Sequence, residues 1–231
     1  MQGIPLNERK RLGALLDDRP QTEVMAMIPQ FSQAETDNFV APPAQIPEAL
    51  GVLMFNMERG VNLPEIQEFL RDCPDIQPFD VILANELDDG CARSGNKNTA
   101  RELAQAFGLN YAWGLEFIEL VNDENAKGFH GNAVFSRWPI RRAGVIRLPE
   151  QYNWYFDRQK RIGGRLAVFA ELDVGGQPVG AVSIHLENRT HGEGRKAQMA
   201  AILEAVRKEL PDMPLILGGD LNTNPFDGRA K

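Results

Sequence analysis

The sequence predicts an α/β protein in which sheets pack face to face with helices outside. Three observations predict it: apolar runs of buried-strand type recur from residue 51 onward, several follow one another without an intervening helix, and two segments carry helical periodicity. A doubly wound parallel sheet needs a helix between successive strands and fits less well. The 231 residues, 43% hydrophobic and 25% charged, match ordinary globular composition and exclude disordered, collagen-like and disulfide-scaffold classes.

Residues 1–50 read as an N-terminal extension and linker, and 51–231 as the main domain. Leu6, Leu12, Leu15 and Leu16 form one face of a short helix, and the three prolines of APPAQIP (41–47) mark a linker or an extended entry. GVLMFNM (51–57) and FDVILAN (79–85) are buried strands. In NTARELAQAFG (98–108), Leu103, Ala104 and Phe107 share a helical face that Gly108 stops. YAWGLEFIEL, GNAVFSR, GRLAVFAEL and QPVGAVSIHL follow as strands. EGRKAQMAAILEAVRKEL (193–210) is the clearest helix, with Met199, Ile202, Leu203, Val206 and Leu210 in a single stripe. Pro211 and Pro214 close it, and PLILGGD (214–220) is a last buried strand.

The formal charge is −7, which disfavours indiscriminate binding to a phosphate backbone. It is unevenly placed. Residues 137–165 hold eight basic side chains and two acidic ones, so this stretch is +6 and the remainder −13. Trp138, Tyr152, Trp154, Tyr155 and Phe156 lie among them. Arginine mixed with aromatics suits an anionic ligand with a flat or apolar part; the commoner origin of such a stretch is a solvated hairpin loop. Cys73 and Cys91 are too few for a disulfide framework and lack metal-site spacing. No apolar run approaches the roughly 20 residues that span a bilayer. No signal peptide is recognisable at the start, so a cytoplasmic location is expected.

Polar residues at the ends of buried strands carry the functional signal, because a rigid sheet holds them in place. Asn56 ends the first strand, Asn85 and Glu86 the second, His185 ends QPVGAVSIHL, and Asp220 with Asn222 end LILGGDLNTN. Singly, each reads as a turn former, a cap or a packing residue. Together they suit hydrolysis of a phosphate ester. Glu86 and Asp220 are hard oxygen ligands of the kind Mg²⁺ takes. His185 is a donor for a phosphoryl oxygen, and the two asparagines are neutral amides that orient water or phosphate. Zinc-site and serine-hydrolase patterns are absent from the sequence.

The ordered motifs LMFNMERG, ILANELDDG, GFHGNAVFSRWPI, IHLENRT and LILGGDLNTN resemble the endonuclease/exonuclease/phosphatase superfamily over about residues 51–226. That resemblance implies the deoxyribonuclease-I-like fold, a four-layered α/β sandwich of two packed mixed or antiparallel sheets flanked by helices. It implies that Glu86 is the principal Mg²⁺ ligand, with Mn²⁺ as an alternative ion, and that Asn56 supports the metal and phosphate site. His185 would contact the scissile phosphate, while Asp220 and Asn222 position or activate the attacking water. Asn132 would lie beside the substrate, and Arg189 would contact phosphate.

Two features depart from the family pattern. Asn85 stands where many members have glutamine, a shorter amide for the same place. The closing Ser-Asp-His-type motif does not follow GDLNTNPFDGRAK, so the chain is expected to be a fragment lacking its C-terminal strands. The expected function is a Mg²⁺-dependent phosphoesterase, complete only with that closing pair. The alternative is a non-catalytic relative that binds a phosphate ligand or nucleic acid. A small phosphodiester, a lipid headgroup and nucleic acid all remain open as substrates, and no obligate protein partner is indicated.

Overall fold

The computed structural model describes residues 1–223. In chain order its regular elements are α1 (Leu6–Ala14), α2 (Gln21–Ala26), β1 (Ala34–Asp37), β2 (Val52–Arg59), α3 (Leu63–Asp72), β3 (Val81–Asp89), α4 (Thr99–Phe107), β4 (Asn110–Glu119) and β5 (Phe129–Ser136). β6 (Ile140–Arg147), β7 (Arg161–Gly163), β8 (Leu166–Val174), β9 (Gln177–His185), α5 (Gly192–Glu209) and β10 (Leu215–Asp220) complete them. Among the described residues no helix is long and apolar enough to cross a membrane.

The strands form two mixed sheets. The first runs β1-β4-β5-β3-β2, with β7 added on β4, and the second runs β10-β9-β8-β6. Only β2–β3 and β9–β10 pair in parallel. The continuous apolar runs have a direct explanation: both faces of each sheet are covered. In β3, Val81 and Leu83 point between the sheets against Val168, Ala170 and Ala181, whereas Ile82 and Ala84 pack with the α3 and α4 side chains Leu70, Leu103 and Ala104. On the far side, Ile202, Val206 and Leu210 of α5 cover Val182 and Ile184 of β9. The layers are therefore helix, sheet, sheet, helix, as expected.

Two details of the α5 and α4 stripes differ from expectation. Leu203 is exposed, so the buried stripe of α5 is narrower than the apolar one. Phe107 is only partly buried and meets Phe79 edge-on, with centroids 5.7 Å apart. Gly108 does stop α4, with φ of 58° in the left-handed region. Gly114 in β4 has a packing reason: a Cβ there would lie 2.6 Å from Val145 Cγ1 and 2.9 Å from Val168 Cγ2. Its absence lets the two sheets approach.

The first fifty residues are bound to the sheets. β1 pairs antiparallel with β4 as an edge strand. The buried Arg9 of α1 donates to the carbonyls of Asn125 and Lys127. Arg147 of β6 donates to the carbonyl of Phe31 at 2.8 Å and stacks 4.8 Å from that ring. The basic stretch is thus not one solvated loop: Arg161 and Arg165 are buried, as are Trp154 and Tyr155.

Candidate active site

Three neighbouring strand pairs break their register at one level of the first sheet. β2 shifts against β3 between Asn56 and Arg59, β3 against β5 between Ala84 and Leu87, and β4 against β5 between Leu115 and Phe117. Bulges of this kind re-aim side chains and are frequent beside active sites. Here they project Glu86 and Glu116. Glu86 has φ of 56°, a left-handed conformation costly for a non-glycine residue. Its amide donates to Asn132 Oδ1 at 3.2 Å. Asn132 is fully buried, and its Nδ2 has no partner.

Asn85 connects the two sheets. It is 1% exposed, donates to the carbonyl of Ile184 at 3.0 Å, and accepts from the amide of Asp220 at 2.9 Å. The amide of Asn85 is therefore occupied in holding β3 to β9 and β10, which is what the shorter side chain accomplishes here. Gly219, with φ of 137°, allows this approach, since a Cβ would strike the Ile184 carbonyl and lie 3.0 Å from Asn85 Oδ1. The strand ends then meet. Asn56 Nδ2 donates to Asp220 Oδ2 at 3.2 Å, and the amide of Asn222 donates to Asp220 Oδ1 at 2.9 Å. Asn222 Nδ2 donates to Leu186 O at 2.8 Å. Asn85→Ala is expected to cost about 1–3 kcal/mol, measured as a fall in denaturant midpoint, because it orphans one buried donor and one buried acceptor.

His185 lies beneath this corner, 1% exposed. Its Nδ1 is 3.2 Å from Glu116 Oε2, Arg165 Nη1 lies 3.0 Å from both ring nitrogens, and its Nε2 is 3.9 Å from Asp220 Oδ2. An ionised Glu116 is acceptor-only, so a proton on Nδ1 suits this pair. Arg165 Nη1 is 3.3 Å from Glu116 Oε1, and Arg165 Nε is 3.4 Å from Glu187. On the other side of Glu116, His130 Nε2 stands 3.7 Å away and His130 Nδ1 donates to Asp88 at 2.9 Å. Arg93 grips Asp88 through two hydrogen bonds of 2.7 and 2.8 Å. Charges this deep persist only when paired.

Burial alone would raise both carboxyl groups. The charges of His185 and Arg165 outweigh it at Glu116 and hold that group well below the carboxylate range. At Asp88, hydrogen bonds from Arg93 and His130 outweigh burial and bring the group to about 2. Each folded-state value lies below its unfolded one, so the stabilisation is complete above the ordinary carboxyl range and is lost as pH falls through it. Stability should drop between about pH 4 and pH 2, with Asp88 alone contributing about 2 kcal/mol. Denaturant midpoints across that range check this, and Asp88→Asn should flatten the slope.

Beside Glu86 opens a cavity of about 260 Å³, lined among others by Arg59, Glu86, His130, Arg165 and Arg189. Of the seven residues expected at the site, Asn56, Asp220, Asn222 and His185 lie at one corner, with Asn56 inside β2 rather than at its end. Glu86, held by Asn132, lines the cavity with Arg189, and Asn85 beside Glu86 links the two groups. Among the described residues no group of three or more histidine, cysteine or acidic side chains is arranged to hold a metal ion by itself. Among the described residues Glu86 makes one ion pair, with Arg59 Nε at 3.8 Å, and its side chain lines the cavity. One open carboxylate with an amide beside it fits Mg²⁺, which keeps several waters and binds through one or two carboxylates plus substrate oxygens.

Sequence reasoning missed Glu116, Asp88, His130, Arg161 and Arg165. The available signal was a charge inside an apolar run, as at Glu116 in GLEFIEL, because a strand buried on both faces cannot expose it.

The comparisons with known proteins agree with this architecture. The chain is similar to an endonuclease/exonuclease/phosphatase from Beutenbergia cavernae DSM 12333 (23% identity, TM-score 0.54, covering 74% of this chain and 47% of that one). It is similar to the human Nocturnin catalytic domain with bound sulfate anion (20% identity, TM-score 0.54, 85% and 70%). A third likeness is to an endonuclease/exonuclease/phosphatase family protein from Leptotrichia buccalis C-1013-b (18% identity, TM-score 0.53, 76% and 67%). At these identities the likeness is one of fold, and the chain spans about half the length of the Beutenbergia protein. No curated protein sequence matches the chain. The family model described as Endonuclease/Exonuclease/phosphatase family matches residues 55–231, three-quarters of the sequence, and the chain belongs to that family.

Proposed function

We propose that the chain is a divalent-metal-dependent phosphoesterase that hydrolyses a phosphate ester by in-line attack of water. The observation that supports this best is the junction of the two sheets at Asn85, the neighbour of Glu86, which accepts from the Asp220 amide and donates to the carbonyl of Ile184 beside His185, with an arginine-lined cavity at Glu86. Glu86, with Asn56 nearby, would hold the ion, which supplies charge neutralisation at the phosphoryl oxygens.

The chain's own groups do the rest. Asp220 is held at both oxygens, by Asn56 Nδ2 and by the Asn222 amide, and from that fixed position takes the proton of the attacking water. His185 Nδ1 is tied to Glu116. Its Nε2 lies 3.9 Å from Asp220 Oδ2 with Arg165 Nη1 at 3.0 Å, so the ring positions that arginine and the carboxylate relative to each other. The unpaired Asn132 Nδ2 is a donor for a remaining oxygen, where negative charge develops, and the Arg189 guanidinium on the cavity wall is a phosphate contact.

The test is an assay of the intact protein on a bis-aryl phosphodiester, with a monoester and DNA in parallel. Chelation is expected to abolish hydrolysis and Mg²⁺ or Mn²⁺ to restore it. Hydrolysis that a chelator leaves untouched would sink the proposal. Salt dependence then separates substrates, since many phosphate contacts give a steep slope and a small ester a shallow one.

A further inference from the structure

The cavity beside Glu86 carries more positive charge than one phosphate ester requires. Its lining includes five arginines, Arg59, Arg158, Arg161, Arg165 and Arg189, against two carboxylates, Glu86 and Asp157. That is +3 at one concave site of a chain whose formal charge is −7. Two of the five are closely ion-paired, Arg161 with Glu119 at 3.0 Å and Arg165 with Glu116 and Glu187, although Arg161 Nη2 is buried without a hydrogen-bond partner. The other three are held less closely. Arg59 has Glu86 at 3.8 Å, and its buried Nε lacks a hydrogen-bond partner. Arg189 has only Asp157 at 3.8 Å and the Tyr152 ring at 6.0 Å. Arg158 is exposed and pairs with no carboxylate among the described residues.

The wall that carries Arg158 is braced from several directions. Trp154 Nε1 donates to Glu187 at 2.9 Å, Tyr152 Oη to Asp157 at 3.0 Å, and Tyr155 Oη to Asp17 of the N-terminal segment at 2.9 Å. The amide of Gly163 donates to Gln21 Oε1 at 3.2 Å. A braced wall around about 260 Å³ is at the small end of ligand clefts, which run from about 300 to 1,000 Å³. Such a site suits a compact ligand rather than a duplex, whose charge would extend beyond the arginines. Arginine forks match phosphate oxygens two at a time.

We propose that the substrate is a small molecule bearing a second phosphate, which Arg158 and Arg189 hold while the ester to be cleaved lies at Glu86. This rests on the phosphoesterase reading for the Glu86 end, and deepens it.

Calorimetric titration of the full chain in chelator, with orthophosphate, methylenediphosphonate and an oligothymidylate, tests the proposal without turnover. The diphosphonate is expected to bind at least about tenfold more tightly than orthophosphate, and Arg158→Ala and Arg189→Ala each to remove about that factor. Arg158 is exposed, so its replacement leaves the core intact. Equal affinities for the two probes would overturn the proposal. So would tighter oligonucleotide binding with a steep salt slope. A diphosphonate preference in a protein that hydrolyses nothing would count against the Glu86 reading alone. Hydrolysis without that preference would count against the second-phosphate subsite alone.

Discussion

Glu86→Ala is expected to lower metal-dependent hydrolysis by roughly 10³-fold or more, equivalent to about 4 kcal/mol of transition-state stabilisation. Stability should barely move. Glu86 is partly exposed and its one ion pair, with Arg59, is 3.8 Å long, the kind of contact worth about 0–1 kcal/mol. Alanine also relieves none of the bulge, because the left-handed backbone is imposed by Asn132 and by the register shift around it. The measurement is therefore paired: steady-state rates against a phosphodiester, and denaturant midpoints for the same preparation. A tenfold loss or less would place the ion elsewhere. Glu86→Gln, which keeps the volume, should resemble alanine in rate and wild type in stability.

The second large effect is opposite in kind. Glu116→Ala is expected to destabilise the fold by about 3–5 kcal/mol, the cost of leaving a buried partner charge uncompensated. Glu116 is fully buried and contacts Arg165 and His185 directly, so its removal leaves Arg165 with Glu187 alone. For a domain with about 5–15 kcal/mol in total, that is a large share, and it should appear as a lower denaturant midpoint at unchanged slope. Glu116→Gln keeps the shape and an acceptor and should fold better, yet it loses the negative charge that orients His185. Its rate should fall with little change in KM. Wild-type stability of the alanine variant would mean that the pair is not ionised in the folded protein.

These two residues also show what was legible in the sequence. Glu86 reads as a strand end because the apolar run FDVILAN stops there, whereas it lies at a bulge inside β3, which continues to Asp89. The strands buried on both faces, β3, β4, β5, β8 and β9, were legible for the same reason, as unbroken apolar runs. β6 was not, because IRRAGVIR is half-buried and its arginines interrupt the pattern; Arg142 faces Glu171 and Glu209 on the surface. α3 was passed over as well, since it begins four residues after β2 ends, with Pro64 in its first turn. Glu116, His130 and Asp88 were hidden because their partners are remote in sequence, and pairing across strands has no local signature. The basic stretch misled by averaging, since its arginines divide among surface, N-terminal contact and cavity.

The bridge that Asn85 makes between the layers has a mechanical consequence. One short amide, with the Ser183 hydroxyl beside it, fixes the offset of the two leaves of the sandwich, and the groups proposed to react ride one on each leaf. Cohesion and chemical alignment are thus governed by the same pin, and any slippage of the leaves is felt as lost reactivity before it is felt as lost shape.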